Sequence, residues 1–210
     1  MYLEVFFDVE TKKLFGDIEG DDPGDLGVSI VSVYSRTIDI NLGESNMVSS
    51  VEPVEGKMQS FWEEDFEHMW PIFQEADRII GYNSIGFDVP ALAPYSNFPF
   101  QKLPHFDIMQ KVKEAFGRRL PLDALARETL DREKTDSGLN AVFYWQKGDK
   151  ESLEKLQKYC EADVLITRDI YDFAFKNGHL LFKDKWNTLR RVEVDFSYPP
   201  EDPTRQVGLF

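Results

Sequence analysis

The chain has one cysteine, Cys160, in 210 residues, so no internal disulfide can form and a reducing, cytoplasmic setting is expected. With no histidine beside it in sequence, Cys160 reads as a buried packing residue rather than a nucleophile. Apolar runs are short. None approaches the ~20 residues of a spanning helix, so no membrane contact is expected. The start carries an acid among strand-like residues instead of a basic leader, so no signal peptide is expected. Histidines are scarce too: His68, His105 and His179 do not fall at metal-ligand spacing. Positive charge is the largest deficit. Lys and Arg number 24 against 38 Asp and Glu, a formal charge of −14 that argues against broad wrapping of duplex nucleic acid.

What the chain does have is 42% hydrophobic and 14% aromatic residues, enough for a folded core in one domain. The first third reads as strands: residues 2–9, 27–34 and 36–42, with 58–61 as a shorter candidate. Turn-joined consecutive strands point to an antiparallel meander. The intervening segment 16–25 (GDIEGDDPGD) lacks the central glycine and distal glutamate of a calcium loop, and reads as a solvated turn between two strands.

The period then lengthens. Trp62, Phe66, Met69 and Phe73 lie at helical spacing, giving a helix over about 63–76 with Pro71 inside it, a place for a kink or an early end. A short strand at 78–82 and a helix at 87–95 follow. Several helices are expected between 107 and 147, separated near 117–121 and 135–138, and then one long helix over 150–176 capped by Asn177-Gly178. Residues 1–183 read as an α/β domain and 184–210 as an extended C-terminal tail.

Acidic residues at three separate places carry the chemistry. Asp8 and Glu10 end the first strand as Asp-Val-Glu, and residues two apart share a strand face. Two desolvated carboxylates side by side are costly unless a cation sits between them, and a hard divalent ion suits an all-oxygen site. Asp88 closes Tyr82-Asn83-Ser84-Ile85-Gly86-Phe87-Asp88, a strand-to-helix loop, where it could also serve simply as a first-turn helix acid. On the long helix, Tyr159 and Asp163 lie four apart beside an apolar stripe that includes Leu156, Cys160, Val164, Thr167, Ile170 and Ala174. Asp107 reads as a helix cap.

In this order and in these elements, the three motifs together resemble the DEDD superfamily of 3′→5′ exonucleases. Within it they are most similar to the tyrosine-bearing branch; the position of the other branch's histidine, five before the last aspartate, is Lys158 here. The resemblance covers about residues 1–176. It implies a ribonuclease H-like α/β fold, a mixed sheet with antiparallel N-terminal strands and then parallel ones, flanked by helices. It further implies a pair of Mg²⁺ or Mn²⁺ ions. Asp8, Glu10 and Asp163 would hold one, with Asp8 and Asp88 serving the second. Tyr159 would orient the attacking water, and Thr11 and Asn83 would contact the terminal nucleotide. The implied substrates are 3′ ends of single-stranded DNA or RNA. A protein partner that supplies basic surface is compatible with the acidic charge. Lys12 and Lys13 are candidate phosphate contacts, and Phe98, Phe100 and Trp145 candidate stacking residues whose first reading is core packing. Two other readings stay open: a phosphoester hydrolase of short oligonucleotides or nucleotides, and a catalytically silent nuclease-like binding module.

Overall fold

In the computed structural model, residues 1–42, 48–53, 56–132 and 138–198 are described. The central strand is β1 (Tyr2–Thr11), whose nearly continuous apolar run reflects cover on both faces. It pairs antiparallel with β2 (Val28–Leu42) and parallel with β5 (Arg78–Gly81), which pairs parallel with β6 (His105–Asp107). Two strands share the outer edge of β2: β4 (Lys57–Trp62) alongside residues 30–35 and β3 (Val48–Pro53) alongside residues 38–42. The sheet is therefore mixed, with antiparallel N-terminal strands followed by parallel ones, as expected.

Two local expectations differ from the structure. The two strands read at 27–34 and 36–42 are one strand, β2. β4 and β3 hold the two halves in succession, so the strand runs on through Ser35. The helix read over 63–76 is a 3₁₀ segment (Glu63–His68) and then α1 (Trp70–Gln74). Pro71 has no N–H to continue a helix but fits a first turn, so it restarts the helix, and Phe66, Met69, Trp70 and Phe73 are still buried.

The middle of the chain supplies α2 (Asp88–Leu92), α3 (Ile108–Phe116), α4 (Leu122–Leu130) and α5 (Gly138–Lys147). Gly117, at φ 84°, ends α3, and Pro121 directly precedes the first turn of α4. The break read at 135–138 lies mostly outside the described residues. The long helix α6 (Lys150–Asn177) stops at Gly178, whose φ of 68° suits a left-handed cap. The chain then forms a hairpin, β7 (His179–Lys183) with β8 (Leu189–Glu193), so the boundary read at 183 falls at its turn.

β1 divides the core by parity. Val5, Phe7 and Val9 pack with Phe61, Phe73, Ile79 and Phe100 on one face. Phe6 packs on the other with Ile80, Val164, Ile170 and Tyr171, beneath α6. Glu4, Asp8 and Glu10 share the parity of Phe6, so the strand presents three acids to the α6 side. No helix among the described residues is long and apolar enough to cross a membrane.

Candidate active site

α6 crosses the end of β1 so that Asp163 meets Asp8 and Glu10, and one carboxylate oxygen from each lies within 4.8 Å of the others. The crossing is fixed by small, specific contacts. The Cys160 thiol donates to the Asp8 backbone carbonyl at 3.4 Å and faces its Oδ2 at 3.7 Å. Farther along the same surface, Ser60 Oγ lies 2.9 Å from Ser32 Oγ and donates to Glu161 Oε1 at 2.8 Å. Ser32 is the register partner of Asp8. Cys160 is thus buried packing, as read, with its thiol pushed well above the usual range by burial and by Asp8 and Glu10.

Tyr159 precedes Cys160 and is buried against the same acids. Burial first, then the charges of Asp163, Glu10 and Asp8, push its hydroxyl above the ordinary phenol range, with a hydrogen bond to Asp163 adding to the effect. The hydroxyl is held protonated, a donor beside carboxylates.

Asp88 is not among the three carboxylates grouped within 4.8 Å; it approaches β1 from the start of α2. The loop between β5 and α2 is built around two glycines. A Cβ on Gly81 would come within 2.5 Å of Ser84 Cβ, and one on Gly86 within 2.9 Å of Asn83 Oδ1. Asn83 itself takes φ 63°, the left-handed region that asparagine tolerates best among residues with a side chain. Asp107, read as a helix cap, does cap α3 through Gln110 N at 3.2 Å. Its carboxylate also accepts from Asn83 N at 3.0 Å and Ile85 N at 3.1 Å, a tie with no sequence signal. So anchored, the loop puts Asp88 Oδ1 3.2 Å from Val9 N, between Asp8 and Glu10 in the chain. Burial, then Asp107 and Asp163, push the Asp88 carboxyl up to about 7 against two backbone hydrogen bonds that lower it.

Next to Glu10 opens a cavity of about 250 Å³, with Glu10, Thr11 and Lys13 on its polar side and Phe15, Phe87 and Leu139 on its apolar side. Thr11 lines it, although its hydroxyl is turned to the Lys13 carbonyl at 2.9 Å; Asn83 is not part of the lining. Of the two lysines read as phosphate contacts, Lys12 is tied back by an ion pair with Glu63 and lies over the Trp145 ring. Lys13 is the one at the cavity. Phe98 and Phe100 pack in the core, and Trp145 stacks on Trp62.

The same architecture occurs in other proteins. The chain superposes on the family B DNA polymerase of the hyperthermophilic archaeon Pyrobaculum calidifontis with a TM-score of 0.57 at 17% identity. That match covers 83% of this chain and 24% of the polymerase. A zinc-bound E. coli ExoI–ssDNA complex aligns at a TM-score of 0.42 and 14% identity, over 84% of this chain and 41% of that one. The chain thus spans about a quarter of the polymerase and well under half of the exonuclease chain. Among curated proteins no sequence matches. The mixed sheet, the crossing helix and a profile match over residues 5–175 agree, and the chain belongs to the RNase H superfamily.

Proposed function

We propose that the protein is a metal-dependent 3′→5′ exonuclease of the tyrosine-bearing DEDD branch, which releases nucleoside 5′-monophosphates from single-stranded 3′ ends. The carrying observation is the convergence of Asp8, Glu10 and Asp163 within 4.8 Å, with the Tyr159 hydroxyl beside them. Three carboxylates brought together at a largely buried crossing repel one another, and an all-oxygen donor set of this kind fits Mg²⁺ or Mn²⁺. Asp8, Glu10 and Asp163 would hold one ion, and Asp8 with Asp88 the second. When bound, such ions supply a more acidic water and offset charge on the attacking and leaving oxygens of a phosphodiester.

The chain's own residues do the rest. Tyr159, whose single O–H proton goes to Asp163, accepts a hydrogen bond from the attacking water and so orients it rather than deprotonating it. The cavity beside Glu10 takes the terminal nucleoside, with its base against Phe15, Phe87 and Leu139. Lys13 on its rim faces the backbone phosphate.

The test is degradation of 5′-labelled single-stranded DNA and RNA with Mg²⁺, Mn²⁺ or EDTA, beside Asp8→Ala. A metal-dependent ladder that shortens from the 3′ end and is absent in Asp8→Ala is expected. A folded protein that cleaves neither polymer with either ion would overturn the reading. The net charge of −14 also suits a hydrolase of short oligonucleotides. Substrates of graded length separate the two by whether the rate persists as the strand grows.

A further inference from the structure

The cations of this acidic chain are unevenly placed. α3 with the turn after it, and the β7–β8 hairpin, carry Lys111, Lys113, Arg118, Arg119, Lys183, Lys185, Arg190 and Arg191 against only Glu114, Asp184 and Glu193. The two elements are neighbours. The Phe116 ring meets Phe182 at 4.8 Å, and the Arg118 guanidinium lies over both rings. Several of these cations have acidic neighbours, Lys111 with Glu114, Lys183 with Glu128, Arg190 with Asp184 and Arg191 with Glu193, and the combined surface still keeps an excess of positive charge.

At the hairpin tip stands Trp186, 72% exposed, with the Lys185 ammonium 4.4 Å from its ring centre. The turn that displays it is tightly built. Asp184 accepts from Trp186 N at 2.9 Å, Thr188 N at 3.1 Å and Arg190 Nε at 2.8 Å, and Asn187 adopts φ 60°. A rigid turn that holds a large aromatic ring in water loses little conformational freedom when that ring is covered.

We propose that the hairpin tip and the end of α3 form a second nucleic-acid contact, which grips the single strand upstream of the end being cleaved. Trp186 stacks on a base while Lys185, Arg118 and Arg119 meet phosphates. This rests on the reading of the protein as acting on single strands. Charge complementarity selects the occupant: a polyanion with exposed aromatic faces matches a cationic surface with a displayed tryptophan. α3 also links the two places. α3 begins at Asp107, whose carboxylate holds the Asn83–Ile85 loop of the candidate site, and ends against the hairpin. Its nine residues bridge about 13 Å at the usual helical rise. Among the described residues that line the cavity, Lys13 is the one cation, and the second contact adds the positive charge that a longer strand needs.

The experiment uses the full chain in EDTA, with fluorescence anisotropy of labelled oligothymidylates of about 20 and about four nucleotides, lengths that bracket a usual footprint. Trp186→Ala is expected to weaken binding of the longer strand about tenfold, and Trp186→Phe to restore most of it. The triple variant Lys185→Gln, Arg118→Gln, Arg119→Gln should flatten the salt dependence by about 0.7 in log–log slope per lost phosphate contact. Binding of the four-nucleotide strand, and its hydrolysis with Mg²⁺, should be unchanged in Trp186→Ala. Unaltered affinity of both variants for the longer strand, or a wild-type protein that does not bind it, overturns the proposal; the latter result would assign the patch to an acidic protein. Trp186-dependent binding without cleavage would sink the exonuclease reading and leave the single-strand contact at the hairpin standing. Cleavage of both lengths with affinities indifferent to Trp186 does the reverse.

Discussion

Along the α6-facing side of β1, three acids meet different neighbours. Glu4, fully buried, accepts from Arg36 Nε at 2.8 Å, Tyr171 OH at 2.9 Å and Tyr198 OH at 2.7 Å. A buried charge so supplied with donors is structural. Asp8 and Glu10, on the same face, meet a third carboxylate, Asp163. The sequence displayed the Asp-Val-Glu pair and its strand parity but hid this distinction, because Arg36 and Asp163 reach β1 from distant parts of the chain. Two residues give sharp tests. Tyr159→Phe should lower kcat by about 10²-fold, the size of a lost positioning hydrogen bond in catalysis, with Mn²⁺ affinity by calorimetry within about twofold of wild type. Asp163→Asn should damage both, and a variant with normal metal affinity would remove Asp163 from the ligand set. Asp88 adds a pH signature. Its folded-state carboxyl lies at about 7, above the ordinary value of 3.8, so the folded state binds the proton more tightly than the unfolded chain does. Its contribution is fully present below about pH 4 and is lost as pH rises towards 7. In EDTA, the melting temperature of wild type should therefore fall between about pH 4 and 7 more than that of Asp88→Asn. Parallel profiles would show that Asp88 is not the titrating group.

Elements with strong periodicity were legible, and elements set by a single packing contact were not. The long helix α6 could be read end to end because its apolar stripe and its Asn177-Gly178 stop agree with each other. The break at Pro71 was marked by the proline itself, whereas the continuity of β2 through Ser35 depends on neighbours that a local pattern does not reveal. The loop from Gly81 to Asp88 lies between these cases. Its motif was visible, but its geometry depends on the closeness of Gly81 to Ser84 and on the Asp107 carboxylate. Gly81→Ala should destabilise the protein by about 1–3 kcal/mol, the usual cost of overpacking, and should reduce activity further by moving Asp88. Adding Ser84→Gly removes the atom that the new methyl would strike, so the pair should recover most of both losses. A double-mutant cycle by thermal denaturation measures this coupling, and strict additivity would rule out the contact as the cause.

For the molecule as a whole, the stretch after Lys183 shows what composition alone concealed. In place of the extended tail expected over 184–210, the described residues 184–198 complete the hairpin and bury Val192, Val194 and Phe196 in the α6-side core. Arg78 secures it from the start of β5, donating to the Phe196 carbonyl at 2.8 Å and the Ser197 carbonyl at 3.2 Å, with its guanidinium 3.5 Å from the Tyr198 ring centre. Neither a short apolar alternation after a hairpin nor a lone arginine at a strand start announces such a clasp. All the proposed catalytic residues precede position 183, so we propose that the chemistry belongs to residues 1–183. Stability is a different matter. Each large apolar side chain removed from a core forfeits about 1.5–3 kcal/mol as an upper estimate, and losing the clasp leaves the Arg78 guanidinium and Glu4 with fewer partners. A chain ended after Tyr198 should therefore unfold at a clearly higher urea concentration than one ended after Lys183, with the shorter chain near the limit of folding. Equal midpoints would mean that the hairpin and clasp lie on the domain without supporting it. The shorter chain should also lose its Trp186-dependent grip on long strands while any folded fraction keeps its action on short ones, because the acids of the candidate site all remain in it.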